Sequence, residues 1–169
     1  PFRCVPTDKP QQLTRLEKTL AVARSAPHGE PKTHFTIMPE YSIPGPDGIA
    51  LIQAALNDAQ WPTGTIVIGG TDALTKPEFQ ALANEPNTHL DTTNNSLQRV
   101  GQNEWINCGV TWTKANNGLV ERWLQPKLWP AWPEMAIRYQ NMFRGNSIFA
   151  FNGLLTNEAG YRFSSLVCF

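Results

Sequence analysis

The sequence predicts an α/β fold in which short apolar strands alternate with amphipathic helices. Two apolar runs, residues 33–38 and 65–68, have the length of buried strands, and a pattern with helical spacing lies between them. A strand, a helix and a second strand in this order are typical of a βαβ unit. A chain of 169 residues can bury one substantial core, so we expect a single domain over residues 1–169.

The amino-terminal third supplies the first helices and strands. A helix is predicted from about Asp8 to residue 26, with Leu13, Leu16 and Leu20 at helical spacing. The strand at 33–38 is followed by Pro39-Glu40, which puts a carboxylate at its carboxyl end.

A second helix is predicted after residue 48. Its apolar face carries Ile49, Ile52 and Leu56, and it leads to the strand at 65–68. Gly69-Gly70 marks the exit of that strand. The polar stretch 71–103 is predicted to begin with a short helix at 78–83 and to continue as a surface excursion.

The carboxyl-terminal part is predicted to start with a β-hairpin. Apolar alternation on both sides of Asn117-Gly118 predicts arms at 105–112 and 119–125, and the second arm leads directly to Lys127. A short helix is expected at 134–144, and strands are expected at 147–151 and 161–169. The last strand places Cys168 at its carboxyl end, where α/β proteins often carry their chemistry.

Composition excludes several classes of function. Fourteen basic residues balance fourteen acidic ones, so no global charge attracts nucleic acid. The apolar runs are too short to span a bilayer, and we expect no membrane association. Three widely spaced cysteines without a Cys-x-x-Cys pair argue against a disulfide framework or a zinc site. A reducing compartment, the cytoplasm, is therefore predicted.

Three residues at strand ends could together carry out acyl transfer: Glu40, Lys127 and Cys168. A thiol is only slightly ionised at neutral pH, so a nucleophilic cysteine needs a base in hydrogen-bond reach. Glu40 could take the thiol proton, and Lys127 could stabilise a developing oxyanion. This chemistry requires no metal and no organic cofactor.

The order of these motifs resembles the carbon–nitrogen hydrolase, or nitrilase, superfamily. The matching segments are the strand that ends in Pro39-Glu40, the hairpin that leads to Lys127, and Ser165 to Cys168. Members of this family usually carry a second glutamate seven residues after the lysine, and Glu134 stands there in this chain. Each motif is weak alone, so the resemblance depends on their joint order.

The resemblance implies both a fold and an activity. The family fold is an α-β-β-α sandwich, of which this chain is expected to hold the amino-terminal portion, with the domain continuing beyond Phe169. The implied activity is hydrolysis of a small-molecule amide or nitrile through a thioester on Cys168. The family's role for Glu134 is to support the lysine and position substrate. Family members also commonly form homo-oligomers.

Several alternatives stay open from the sequence alone. The same site could serve an N-acyltransferase, or the chain could be a non-catalytic half-domain that assembles with a partner. Glu134 could equally be a helix cap after Pro133. Core packing is the favoured role of Trp129 and Trp132, with a pocket or an oligomer contact as alternatives. Packing is likewise the predicted role of Cys4 and Cys108, and His28, His34 and His89 lack metal-ligand spacing.

Overall fold

The computed structural model describes residues 7–25, 33–135, 141–154 and 160–166, and these residues form a mixed α/β fold. The helices are α1 (Lys9–Arg24), α2 (Gly45–Leu56), α3 (Lys76–Ala83) and α4 (Trp132–Met135), with a 3-10 turn at Leu97–Arg99. The strands are β1 (Phe35–Ile37), β2 (Ile66–Gly70), β3 (Leu74–Thr75), β4 (Thr88–His89), β5 (Glu104–Ile106), β6 (Cys108–Lys114), β7 (Val120–Pro126), β8 (Asn141–Met142), β9 (Phe151–Leu154) and β10 (Gly160–Phe163).

The strands form one larger sheet and two smaller ones. The larger sheet has the order β1-β2-β6-β7-β4, and the others have the orders β3-β5-β8 and β10-β9. Strands β1 and β2 are parallel with α2 between them, so the predicted βαβ unit and the α/β class are confirmed. The remaining pairs include both directions: β6 is antiparallel to β2 and β7, whereas β4 is parallel to β7.

The core lies between the larger sheet and the helices. Helices α1 and α2 bury the residues that the sequence pattern selected, including Leu16, Leu20, Ile49, Ile52 and Leu56. They pack in one cluster with inward-facing side chains of the sheet, including Val67, Val110, Trp112 and Leu124. Removing these side chains from water supplies the main stabilisation, roughly 25 cal/mol per Å² of apolar surface.

Strand β1 differs from its prediction as a buried strand. It is the edge of the larger sheet, where only Thr36 is buried, while Phe35 and Ile37 face outward and Ile37 is 73% exposed. An apolar run cannot by itself reveal whether both of its faces are covered. Position in the sheet, rather than composition, determines this exposure.

The segment 71–103 is more integrated than the predicted surface excursion. Helix α3 begins with a capping box between Thr75 and Glu78, and it buries Phe79 and Leu82 in the core. Further along, β4 extends the larger sheet by pairing with β7. Buried Arg122 on β7 reinforces this connection through hydrogen bonds to Glu85 and Thr88.

The predicted hairpin is present, but its first arm is divided between two sheets. Strands β6 and β7 pair from Cys108 with Pro126 to Lys114 with Val120, and the turn contains Gly118 at a φ of 82°. Strand β5 belongs to the three-stranded sheet instead. The break falls at Asn107, which is fully buried. A polar side chain is therefore held where the two sheets diverge.

The carboxyl-terminal elements are shorter or shifted relative to their predictions. The helix predicted at 134–144 is wrong at Asn141 and Met142, because they form β8 by pairing with β5. The strand predicted at 147–151 begins only at Phe151, and β10 ends at Phe163. The hairpin of β9 and β10 contacts the face of the larger sheet opposite α1 and α2. There an aromatic row comprises His89, Trp123, Phe151, Phe163 and Phe35.

Candidate active site

Lys127 lies at the centre of a buried ionic cluster. Its Nζ is 2.8 Å from Glu40 Oε1 and 2.8 Å from Glu134 Oε2. The side chains are only 1% exposed for Lys127, 4% for Glu40 and 2% for Glu134. Glu40 is therefore not a solvated loop carboxylate, and Lys127 is not a surface lysine. Two carboxylates, one 87 positions before the lysine and one seven positions after it, therefore meet at one ammonium group.

The backbone around Lys127 is fixed on both sides. The Lys127 amide donates to Asn107 O at 2.8 Å, and the Lys127 carbonyl accepts from Gly145 N at 2.9 Å. A Cβ at Gly145 would lie 2.4 Å from Pro126 O, so this close approach requires glycine. The junction between β5 and β6 and the segment after β8 thus hold the lysine in one position.

Glu40 reaches the cluster through a tight turn after β1. Tyr41 has a φ of 60°, a left-handed conformation that is uncommon for a residue with a Cβ. Gly70, at the end of β2, packs directly against this turn, since a Cβ added there would lie 2.8 Å from Glu40 Cα. Packing between neighbouring strand ends therefore determines the position of the Glu40 backbone.

Substitution of Gly70 by alanine is expected to displace this turn and to lower both stability and any activity of the cluster. Overpacking against backbone costs about 1–3 kcal/mol. Gly101→Ala is a matched control, because its Cβ would meet only the Glu104 side chain, at 3.4 Å or more. Denaturant unfolding of both variants tests the expectation. Equal stabilities would contradict it.

Glu134 accepts hydrogen bonds through both of its oxygens. Oε1 accepts from the Tyr41 hydroxyl and from Asn107 Nδ2, the latter at 3.1 Å. Oε2 accepts from Lys127 Nζ and from the Ala131 amide. The contact with Ala131 lies at the start of α4, so the capping role and the lysine-supporting position coexist in one side chain.

Glu40 differs from Glu134 in having one uncommitted oxygen. Its Oε1 accepts from Lys127 Nζ and from Asn107 Nδ2. Its Oε2 is buried and has no hydrogen-bond partner among the described residues. A buried carboxylate oxygen without a donor is costly, and such exceptions concentrate at functional sites. Among the described residues, Oε2 of Glu40 thus has no donor and can accept a proton from a further group, whereas both oxygens of Glu134 are occupied.

The electrostatics of the cluster favour the charged forms of Lys127 and Glu134. Burial alone would lower the pKa of Lys127, but hydrogen bonds to Glu134 and Glu40 and their charges raise it overall. Burial opposes ionisation of Glu134, yet hydrogen bonds from Lys127, Tyr41, Ala131 and Asn107 hold its pKa below the usual range. Burial and the contact with Glu134 raise the pKa of Tyr41, so this phenol stays protonated as a donor.

Asn107 and Tyr41 are parts of this cluster that the sequence motifs did not identify. Each donates to Glu134, and Asn107 also donates to Glu40. The available sequence signals were modest: a single amide that interrupts the apolar run 105–112, and a tyrosine directly after the Pro-Glu pair. Neither signal indicates that the side chain contacts the two glutamates.

The segment that leads to the predicted nucleophile lies beside Glu40. Ser165 is held by a hydroxyl contact of 3.1 Å with Thr111 and by Gln125, whose Nε2 donates to the Ser165 carbonyl. Ser165 and Leu166 line a cleft of about 210 Å³ together with Glu40 and Gly70. Cys168 itself lies outside the described residues.

Two of the remaining cysteines and histidines, Cys108 and His89, lie away from the cluster and have packing roles. Cys108 is fully buried, and burial raises its pKa to about 12, which leaves it a non-nucleophilic core residue. Cys4 and His28 lie outside the described residues. His89 stacks on Trp123, and within the described ranges no group of three or more His, Cys, Asp or Glu could hold a metal ion.

The core-packing prediction for Trp129 and Trp132 is wrong. Their exposed fractions are 66% and 77%. The Arg144 guanidinium lies over the Trp129 ring, with its Cζ atom 4.3 Å from the ring centroid. Neither indole lies in an element long enough for apolar periodicity to indicate which face is buried, because α4 spans only Trp132–Met135. The two indoles therefore lie on the surface of the segment that carries Lys127 and Glu134.

Comparison of the chain with protein-family models, with characterised proteins and with solved structures found no match. In the part of the chain that the structure describes, no helix has the length and apolar character needed to cross a membrane.

Proposed function

We propose that this chain carries the catalytic residues of a carbon–nitrogen hydrolase, with Glu40 as general base, Lys127 as oxyanion-stabilising cation and Cys168 as nucleophile. The observation that carries the proposal is the burial of Lys127 between Glu40 and Glu134. These are the two glutamates that the nitrilase-like order of motifs pairs with this lysine. A buried ion cluster is expensive to maintain, which favours a function for it.

The position of Ser165 also supports Cys168 as the nucleophile. Cys168 lies three positions after Ser165, and a chain of that length spans at most about 10 Å. Ser165 lines the same cleft as Glu40. A chain of that length permits the Cys168 thiol to approach this cleft, which supports its assignment as the nucleophile.

The proposed reaction begins when Glu40 Oε2 takes the proton of the Cys168 thiol and the thiolate attacks an amide carbon. Lys127 stabilises the resulting oxyanion, and the carbon–nitrogen bond breaks as Glu40 returns the proton to the leaving amine. Glu40 then deprotonates a water molecule that attacks the thioester, which releases the acid and restores the thiol. A nitrile carbon could be attacked by the same thiolate.

The proposal also covers the class of substrate, the fold, the oligomeric state and the compartment. The substrate is a small amide or nitrile, the fold is a portion of an α-β-β-α sandwich, and the protein works as a homo-oligomer in the reducing cytoplasm. The acyltransferase alternative differs only in its acceptor. Assays with and without a primary amine distinguish the two, because a transferase forms a new amide instead of the free acid.

Replacement of Cys168 by alanine is expected to abolish turnover of every amide or nitrile that the protein hydrolyses. Ammonia release from a panel of short aliphatic and aromatic amides measures this. Iodoacetamide provides a second measurement, since Cys168 should be alkylated faster than the buried Cys108. Cys108→Ala is the matched control and should keep the activity. Full turnover by the Cys168→Ala protein would refute the proposed function.

A further inference from the structure

Asn107 occupies the position from which a single donor group can reach both carboxylates of the cluster. Its Nδ2 donates to Glu40 Oε1 and to Glu134 Oε1, and the residue is fully buried. The orientation of the amide is determined by its surroundings. If the amide were turned over, its oxygen would face two carboxylate oxygens, which is repulsive.

The backbone of Asn107 is tied to the same lysine. Its carbonyl accepts the Lys127 amide at 2.8 Å, while the residue stands between β5 and β6 where the two sheets separate. The side chain therefore has little freedom to move relative to Lys127. One residue thus connects the end of the hairpin to both acidic side chains.

The contacts of Asn107 also explain how the two oxygens of Glu40 are divided. Oε1 receives Lys127 Nζ and Asn107 Nδ2, so its acceptor capacity is largely used. Oε2 receives no donor from the described residues. Without Asn107, rotation about the last torsion of Glu40 could exchange the two oxygens, since that torsion is broad and roughly two-fold.

We infer that Asn107 is a positioning residue of the proposed hydrolase, which holds Glu40 so that Oε2 alone serves as the base. This inference rests on the proposed function but adds a residue and an atom to it. The titratable groups that face the amide are Glu40, Glu134, Lys127 and Tyr41, and Asn107 contributes to the low pKa of Glu134. Its loss should therefore change the proton affinity of the whole cluster.

Asn107→Leu and Asn107→Asp test the inference together. Leucine removes the donor, so the acidic limb of the kcat/KM profile should move up by about one pH unit, because a hydrogen bond to a charged group has about that worth. Aspartate is nearly isosteric but adds a third carboxylate, so it should lower kcat/KM at neutral pH more than leucine does. A residue that merely fills space would show the opposite order.

Asn95→Leu is the matched control. Asn95 is also fully buried, but its amide binds Ser147 Oγ at 2.7 Å and the Asn146 amide at 2.8 Å instead of carboxylates. This variant should lose stability without moving the acidic limb. If Asn107→Leu also leaves the limb unmoved, or if aspartate restores the wild-type rate, the inference is overturned.

Unfolding measurements separate a failure of this inference from a failure of the proposed function. A double-mutant cycle between Asn107→Leu and Glu40→Ala, read by denaturant unfolding across pH, needs no substrate. A coupling free energy that is present at neutral pH and declines on acidification supports the positioning of Glu40 by Asn107, even in a protein that hydrolyses no amide. Additive effects at every pH overturn it, whatever the activity.

Discussion

Replacement of Lys127 by methionine is expected to abolish turnover and to lower the free energy of unfolding by about 3–5 kcal/mol at neutral pH. Methionine has a similar length, so the loss arises from charge rather than from volume. Both partners of the lysine, Glu40 and Glu134, would stay buried without their cation. Denaturant unfolding and ammonia release measure the two effects separately.

The loss of stability in Lys127→Met should depend on pH with a definite sign. In the native protein the pKa of Glu134 is lowered, so its stabilising contribution is present above the unfolded pKa and is lost as pH falls through the folded pKa. In the variant, burial without the cation favours the protonated carboxyls. The variant should therefore become relatively more stable on acidification, and the difference between the two proteins should narrow.

Lys114→Met is a control of similar burial. Lys114 is 5% exposed, and its Nζ donates to the carbonyls of Leu56 and Asp58 at 3.0 and 2.6 Å, at the end of α2. Its removal should also destabilise the protein, because these carbonyls lose their donor. The loss should change little between pH 4 and 7, and turnover should persist. An equal pH dependence in both variants would contradict the assignment of the effect to the carboxylates.

The elements predicted well from the sequence are those fixed by local patterns. Helix α1 shows its apolar stripe at helical spacing, and the turn at Asn117 and Gly118 determines the register of β6 and β7. Elements that depend on distant pairing were predicted poorly. Asn141 and Met142 carry no local sequence signal for a strand. They form β8 by pairing with β5, which lies far away in the sequence.

In the candidate site, too, some residues follow from sequence patterns, whereas other contacts arise only from packing. Glu40, Lys127 and Glu134 were selected because their order and spacing resemble a family pattern, and the structure brings them together. The hydrogen bond from Asn107 to Glu40 and the close approach of Gly70 to the Glu40 backbone arise from packing between strand ends. No sequence spacing encodes these contacts, because the residues meet only after the sheets have formed.

Glu134→Gln is expected to lower the free energy of unfolding more than Glu40→Gln does, although both glutamates lie 2.8 Å from the same lysine. Both oxygens of Glu134 receive donors, so a glutamine amide there must place its NH₂ against donor groups. That variant should lose about 1–3 kcal/mol of stability or more.

Glutamine at position 40 can keep its oxygen towards Lys127 and Asn107 and place its NH₂ at the site of Oε2, which has no donor among the described residues. The free energy of unfolding should therefore change less in Glu40→Gln than in Glu134→Gln. The rate should nevertheless fall by about 10²–10⁴, because an amide cannot act as general base. Unfolding and turnover measured on both variants decide the assignment. A Glu40→Gln protein that retains its rate would exclude Glu40 as the base, because a glutamine amide cannot accept the thiol proton.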